Sequence, residues 1–164
     1  MTEFDWLHTD SVTAFYDPDT MLGLVEFRGV LSADVTAAVY KWIFQIVQQI
    51  PLEQGRGSIY DFREVTEFKR DNSAAAFRQS TTLSTTVDTS NHPVALIIEN
   101  FIQERAVKLI MRITPQEERK RIVHSQQEAV AFINAWNRRK GRIFDLDARQ
   151  LNAWPQRPPA TAAH

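Results

Sequence analysis

The sequence predicts an α/β domain: a mixed, mostly parallel five-stranded sheet with four helices, in the order β-β-α-β-α-β-α-β-α. One antiparallel strand comes from an N-terminal hairpin. Three observations point there. Short apolar runs alternate with longer stretches whose apolar residues recur every three or four positions, the pattern of strands separated by helices. The stretch from Gly57 to Phe68, GSIYDFREVTEF, opens apolar, ends in charge and turns toward a helix; one strand–helix unit precedes it and two follow. The run at 92–99, HPVALIIE, is the most apolar strand, as befits a strand covered on both faces. Each crossover between the later strands is long enough for a right-handed parallel connection.

Residues 1–11 are a lead-in with Phe4, Trp6 and Leu7 as docking anchors. Strands at 12–16 and 21–29 flank Asp17-Pro18-Asp19-Thr20, where proline presets a backbone angle and aspartate caps the turn. Alternation puts Val25 and Phe27 on one face of the second strand and Glu26 and Arg28 on the other. Ser32 is placed to cap a helix running to about residue 49, with Val35, Val39, Trp42, Ile43 and Ile46 in its buried stripe and Pro51 beyond it. The central strand covers 58–62. A second helix opens near Asp71 or Asn72 and carries Ala74, Ala75, Ala76 and Phe77. Its far end is unmarked, because serines and threonines crowd residues 80–90 and compete for backbone hydrogen bonds.

Asn100 is placed to cap a third helix, whose inward stripe is Ile102, Ala106, Leu109, Ile110 and Ile113. A short last strand at 121–124 leads into Ser125-Gln126-Gln127-Glu128, a spacing in which serine and glutamate each satisfy a free amide at a helix start. The fourth helix follows, with Val130, Ile133 and Trp136 inward. Residues 1–137 thus form the expected domain. Residues 138–164 begin with the basic RRKGR and hold three prolines in the last ten positions. They are expected to stay partly disordered, or to dock as an arm through Phe144, Leu146, Leu151 and Trp154.

The 164 residues are 43% apolar and 24% charged, enough for one globular core. A net charge of -1 with interspersed signs speaks against a nucleic-acid partner. The absence of cysteine excludes disulfides, thiolate chemistry and cysteine-based zinc sites. No basic-then-apolar leader opens the chain, and no apolar run reaches the roughly 18 residues of a membrane span, so a cytoplasmic protein without an integral membrane segment is expected. His8, His92, His124 and His164 are scattered, with no i, i+4 pair, and no metal or cofactor is expected. Gln54-Gly55-Arg56-Gly57 lacks the spacing of a phosphate cradle and is a turn; residues 80–90 hold no nucleophile elbow. No catalytic residue is named, and the expectation is that the protein is not an enzyme.

The segments Tyr60-Asp61-Phe62-Arg63-Glu64-Val65-Thr66 and Lys69-Arg70-Asp71-Asn72-Ser73-Ala74 carry a resemblance. They are similar to the motif of STAS domains, the fold of SpoIIAA-like anti-sigma-factor antagonists: a strand ending in aspartate, a turn with valine, then a helix opening on an Asp-Ser-Ser-Gly-like segment. The second segment holds about two extra residues, and Ala74 stands where glycine would follow the serine. The resemblance covers roughly residues 12–137. It implies a non-enzymatic regulatory or binding module acting through a partner protein or a small apolar ligand, with Ser73 in the place of the phosphorylated serine. It also implies helices mainly on one sheet face. Val25, Phe27, Ser58, Tyr60 and Phe62 share that face, leaving Glu26, Arg28, Ile59, Asp61 and Arg63 on a half-charged second face that meets solvent, the chain's own N- or C-terminal segment or a second subunit; a homodimer is expected.

Four groups of candidate residues follow. Asp61, Arg63 and Glu99 lie at carboxyl ends of strands, where open α/β sheets place ligands. Their plain alternative is solvation, or cross-strand pairing with Glu26 and Arg28. An enzyme using Asp61 or Glu99 as a base ranks last. Trp42 and Tyr60, with Phe27, Phe44, Phe62 and Phe77, are the natural lining of an apolar ligand site or an ordinary core. Ser73 is either a first-turn helix serine or a phosphorylation site next to Lys69 and Arg70. Arg105, Lys108 and Arg112, followed by Arg119, Lys120 and Arg121, form a basic stripe that meets an acidic partner or an anionic membrane surface, or is simply an exposed face.

Overall fold

The computed structural model describes residues 6–142 and 145–151. Its strands are β1 Leu7–His8, β2 Val12–Asp17, β3 Leu22–Leu31, β4 Gly57–Phe68, β5 Val94–Ile97 and β6 Lys120–Val123, and they lie side by side in sequence order. The pairs β1/β2 and β2/β3 are antiparallel, and β3 through β6 are parallel. The helices are α1 Ala33–Gln49, α2 Arg70–Thr86, α3 Phe101–Ile113, α4 Gln126–Arg139 and the short α5 Ala148–Leu151. The α/β class and the strand–helix order are those the sequence predicts, but the sheet has six strands instead of five. β1 is only two residues long, opposite Ala14 and Thr13, and is held by the His8 Nδ1 to Thr13 Oγ1 contact at 2.9 Å. Two residues carry no periodicity to read. Phe4, Phe144 and Trp154 lie outside the described residues.

Turn chemistry sets the hairpin as expected. Asp17 Oδ1 accepts from the Asp19 amide at 3.0 Å and Asp17 Oδ2 from the Thr20 hydroxyl at 2.7 Å. β4 runs far beyond the predicted 58–62. Against β3 it carries one extra residue between Asp61 and Glu64 and another between Val65 and Glu67. Each bulge resets the alternation, so Phe62, Val65 and Phe68 all reach the same core. A strict period of two loses the strand at the first bulge.

β3 through β6 run in one direction in sequence order, so right-handed crossovers must put α1, α2 and α3 on one face. Their core includes Val25, Phe27, Trp42, Phe62, Leu96 and Val107. α4 follows the last strand, closes no crossover, and packs on the opposite face with α5. There Leu24, Ile59, Ile97, Ile133, Trp136 and Leu151 form a second core. The apolar part of the second face is therefore covered by the chain's own α4 and C-terminal segment, as one of the expected alternatives has it, which weakens the motive for self-association through that face. Asn134 ties the following segment down, accepting from the Leu146 amide at 3.1 Å and donating to the Leu146 carbonyl at 2.9 Å.

The helices are seated by polar contacts as much as by apolar stripes. Ser32 precedes α1 but makes no side-chain cap; Asp71 of α2 accepts from the Ala33 amide instead, at 3.2 Å. Buried Thr36 and Asn72 hydrogen-bond between the same two helices. α2 continues through the serine- and threonine-rich run, and those hydroxyls are satisfied by bonding back to carbonyls one turn earlier, as Thr82 does to Arg78 and Thr86 to Thr82. Its inward side is Asn72, Ala75, Ala76, Ser80 and Leu83, whereas Phe77 is 48% exposed.

α3 is rotated relative to the expectation. Ile102 is 72% and Leu109 53% exposed, and Gln103 and Val107 point inward. The cause is Gln103. Its Oε1 accepts from the amides of Glu99 at 2.7 Å and Asn100 at 3.3 Å, while its Nε2 donates to the carbonyls of Arg63 at 3.0 Å and Val65 at 3.1 Å. The two carbonyls lie on β4 beyond its last pair with β5, Asp61 with Ile97, and the two amides lie in the turn that leads from β5 into α3. Four polar groups in a dry place outweigh a tidier apolar stripe. Gln103→Leu should therefore lower stability by about 2 to 3 kcal/mol by chemical denaturation, despite the added apolar bulk. Little or no loss would refute this assignment.

Candidate functional site

Between the sheet and α1–α3 lies a cavity of about 150 Å³. That is far more room than one water needs, and a dry cavity of this volume accepts a molecule about the size of benzene. Its walls are mainly apolar, with Phe27, Trp42, Ile43, Ile46, Phe62 and Leu96 among them. The space exists because α2 turns small residues, Ala76 and Ser80, toward bulky α1, and because Gly23 and Gly55 line it without side chains.

One end of this cavity is polar. Tyr40 and Tyr60 are half-buried and both line the cavity. Burial raises the pKa of each, with the neighbouring Tyr40 adding to the effect at Tyr60 and the Arg119 charge opposing both. His92 meets Ser58 Oγ through Nε2 at 2.8 Å, while its buried Nδ1 has no partner among the described residues. Burial, and then the charges of Arg119 and Arg142, hold its pKa down to about 3, so the ring is neutral at physiological pH.

Arg119 is 7% exposed. Its Nε donates to Gln116 Oε1 at 3.2 Å and its Nη1 to the His92 carbonyl at 3.0 Å. Gln116 Oε1 also accepts from Thr89 Oγ1 at 2.5 Å, which fixes the amide that holds the arginine. Lys120 Nζ donates to Thr114 Oγ1 at 2.6 Å and to the Pro115 carbonyl at 2.8 Å. Burial, then the Arg119 charge, lowers its pKa to about 8, which leaves it mostly protonated at neutral pH. No carboxylate lies in ion-pairing distance of either cation among the described residues.

Trp42 and Tyr60 of the predicted site residues line this cavity, with Phe27 and Phe62; Phe44 and Phe77 do not. Asp61, Arg63 and Glu99 lie elsewhere. Asp61 and Ile59 share the opposite sheet face, and Asp61 is clamped by its own strand. Its Oδ1 accepts from the Arg63 amide and Nε, both at 3.0 Å, and its Oδ2 from Nη2 at 2.7 Å. Glu26 likewise pairs with Arg28 at 3.3 Å, so the pairs run along strands and not across them. Glu99 is exposed and contributes charge near Arg63. Ser73 is half-buried in the first turns of α2; Lys69 before it pairs with Glu67 at 3.4 Å.

Sequence reasoning missed Tyr40, His92, Arg119 and Lys120. The last two were placed in an exposed basic stripe. The usable signal was the period of two in Lys120-Arg121-Ile122-Val123: Ile122 faces the first core and Val123 the second, so Lys120 shares the cavity side with Ile122. Among the described residues no three histidine or carboxylate side chains gather as a metal site, and no helix is long and apolar enough to cross a membrane.

No family model and no curated protein matches the chain. Solved structures similar to it include the following two. One is an uncharacterised DUF3478-family protein with a SpoIIAA-like fold from Shewanella loihica PV-4, at 14% identity over 75% of this chain and 92% of that one, with a TM-score of 0.49. The other is the anti-sigma factor antagonist SpoIIAA in its unphosphorylated form, at 10% identity over 80% of this chain and 99% of that one, with a TM-score of 0.47. At these identities the likeness concerns fold and says nothing of any residue's role.

Proposed function

We propose that the protein is a non-enzymatic binding module that holds a small apolar ligand between its sheet and α1–α3. The observation that carries this reading is the cavity. Native cores are close-packed, with few voids larger than a water molecule. A space of about 150 Å³ lined by aromatic and branched side chains sacrifices contacts that a better-packed sequence would make, and a ligand restores them. Asp61 and Arg63 satisfy one another, so the pair is assigned to strand stability and not to chemistry.

Native mass spectrometry of protein purified from cells tests the reading, with the same sample denatured for comparison. Extra mass that vanishes on denaturation is the expected result. Ala76→Leu, which places a side chain in the cavity, should abolish that mass while keeping the unfolding free energy within about 1 kcal/mol of the parent. Extra mass retained in a folded Ala76→Leu variant would place the ligand elsewhere and overturn the proposal.

A further inference from the structure

The polar end of the cavity says what kind of ligand fits, given the reading above that the cavity binds one. Two cations adjacent in sequence, Arg119 and Lys120, line the same space, and neither has a carboxylate partner among the described residues. Arg119 is held from behind by Gln116 and the His92 carbonyl, and its Nη2 has no acceptor among the described residues. Lys120 uses two of its three N–H groups on Thr114 and Pro115. His92 adds a buried, unpartnered Nδ1 beside them, and the phenols of Tyr40 and Tyr60 complete the wall.

Buried charge is ordinarily paired. Here the positive charge is desolvated, its donors are already oriented, and among the described residues no carboxylate pairs with it directly, Glu117 and Glu118 acting only from longer range. A purely apolar ligand would leave that charge uncompensated, and a cationic one would be repelled. We propose that the ligand is a small monocarboxylic acid whose carboxylate lies between Arg119 and Lys120 and whose apolar body fills the region walled by Trp42, Ile43 and Ile46. The planar guanidinium matches a carboxylate's two oxygens, and the modest volume favours this head group over a bulkier one.

Matched probes test it: octanoate against octanol, and phenylacetate against phenylethanol, titrated by calorimetry into the full chain at neutral pH and low salt. Each acid should bind at least tenfold more tightly than its alcohol. Arg119→Gln and Lys120→Met should each bring the two members of a pair to within about threefold of parity, mainly by weakening the acid. Circular dichroism identifies a variant that fails to fold, and the other then decides. Equal binding of acid and alcohol to the parent protein would overturn the carboxylate subsite and leave the ligand cavity standing. Binding of neither would overturn both. An acid preference that survives in a folded Arg119→Gln or Lys120→Met protein would show that these side chains do not read the head group.

Discussion

Lowering the pH from 7 to 4 should cost the protein about 3 kcal/mol of stability through His92 alone, and His92→Gln should remove that part of the acid sensitivity. The ring is enclosed beside Arg119, and its folded-state pKa of about 3 lies well below the ordinary value of 6.5. The sign follows from proton counting. Below pH 6.5 the unfolded chain takes up a proton that the folded chain refuses until about pH 3, so unfolding gains ground as pH falls through that window. Stability from this group is complete above 6.5 and lost progressively toward 3. Carboxylates elsewhere contribute to the acid response of both proteins alike, so the comparison isolates the ring. Denaturant unfolding of parent and variant at pH 7 and pH 4 measures it. Parallel losses in the two proteins would mean that His92 is not held neutral by its surroundings.

The other large effect concerns neighbouring residues on one strand. Ile97→Ala should cost about 4 kcal/mol and Leu96→Ala about 2 kcal/mol, both by denaturant unfolding at neutral pH. Ile97 is fully buried in the second core, where α4 packs tightly over β5 and truncation opens a new void. Leu96 points the other way, onto the cavity that already exists, so its removal enlarges a space and does not create one. The price of a truncation includes the void it leaves as well as the transfer of the lost atoms. A Leu96→Ala loss equal to or above that of Ile97→Ala would mean that the α1–α3 side is packed as well as the α4 side.

Much of this architecture is legible in the residues. α1 and α4 declare themselves because their apolar spacing coincides with burial: Val39, Trp42 and Ile46 on one, Val130, Ile133 and Trp136 on the other. α3 defeats the same reasoning. Its apolar stripe through Ile102 and Leu109 is a clean signal, but the helix turns Gln103 inward to serve four backbone groups around β4 and Glu99. Those groups need a partner because β4 runs on past the end of β5, and where one strand outruns its neighbour leaves no mark in hydrophobic periodicity. The site was half legible for a related reason. Trp42 and Tyr60 follow from the alternation of α1 and β4, whereas Arg119 and Lys120 sit in a run of charges that composition assigns to solvent. Lys120 is recoverable from the alternation of β6, whereas Arg119 is carried inside by the packing of the turn before that strand. Asp61 and Arg63 are set by alternation on the face opposite Tyr60 and Phe62, and what the sequence leaves open is that they pair with each other along β4 and not across strands.

The central claim is that the space between sheet and α1–α3 receives an apolar molecule. Titration of isotope-labelled protein with octanol, followed by methyl and amide NMR, tests it most directly, because a neutral probe does not depend on the cations. The account predicts saturable shifts concentrated at Ile43, Leu96, Met111 and their cavity neighbours, with the α4 core around Ile133 unchanged. Shifts confined to exposed Phe101, Ile102 and Leu109 on the outer side of α3, or none at all up to the solubility limit, would contradict it.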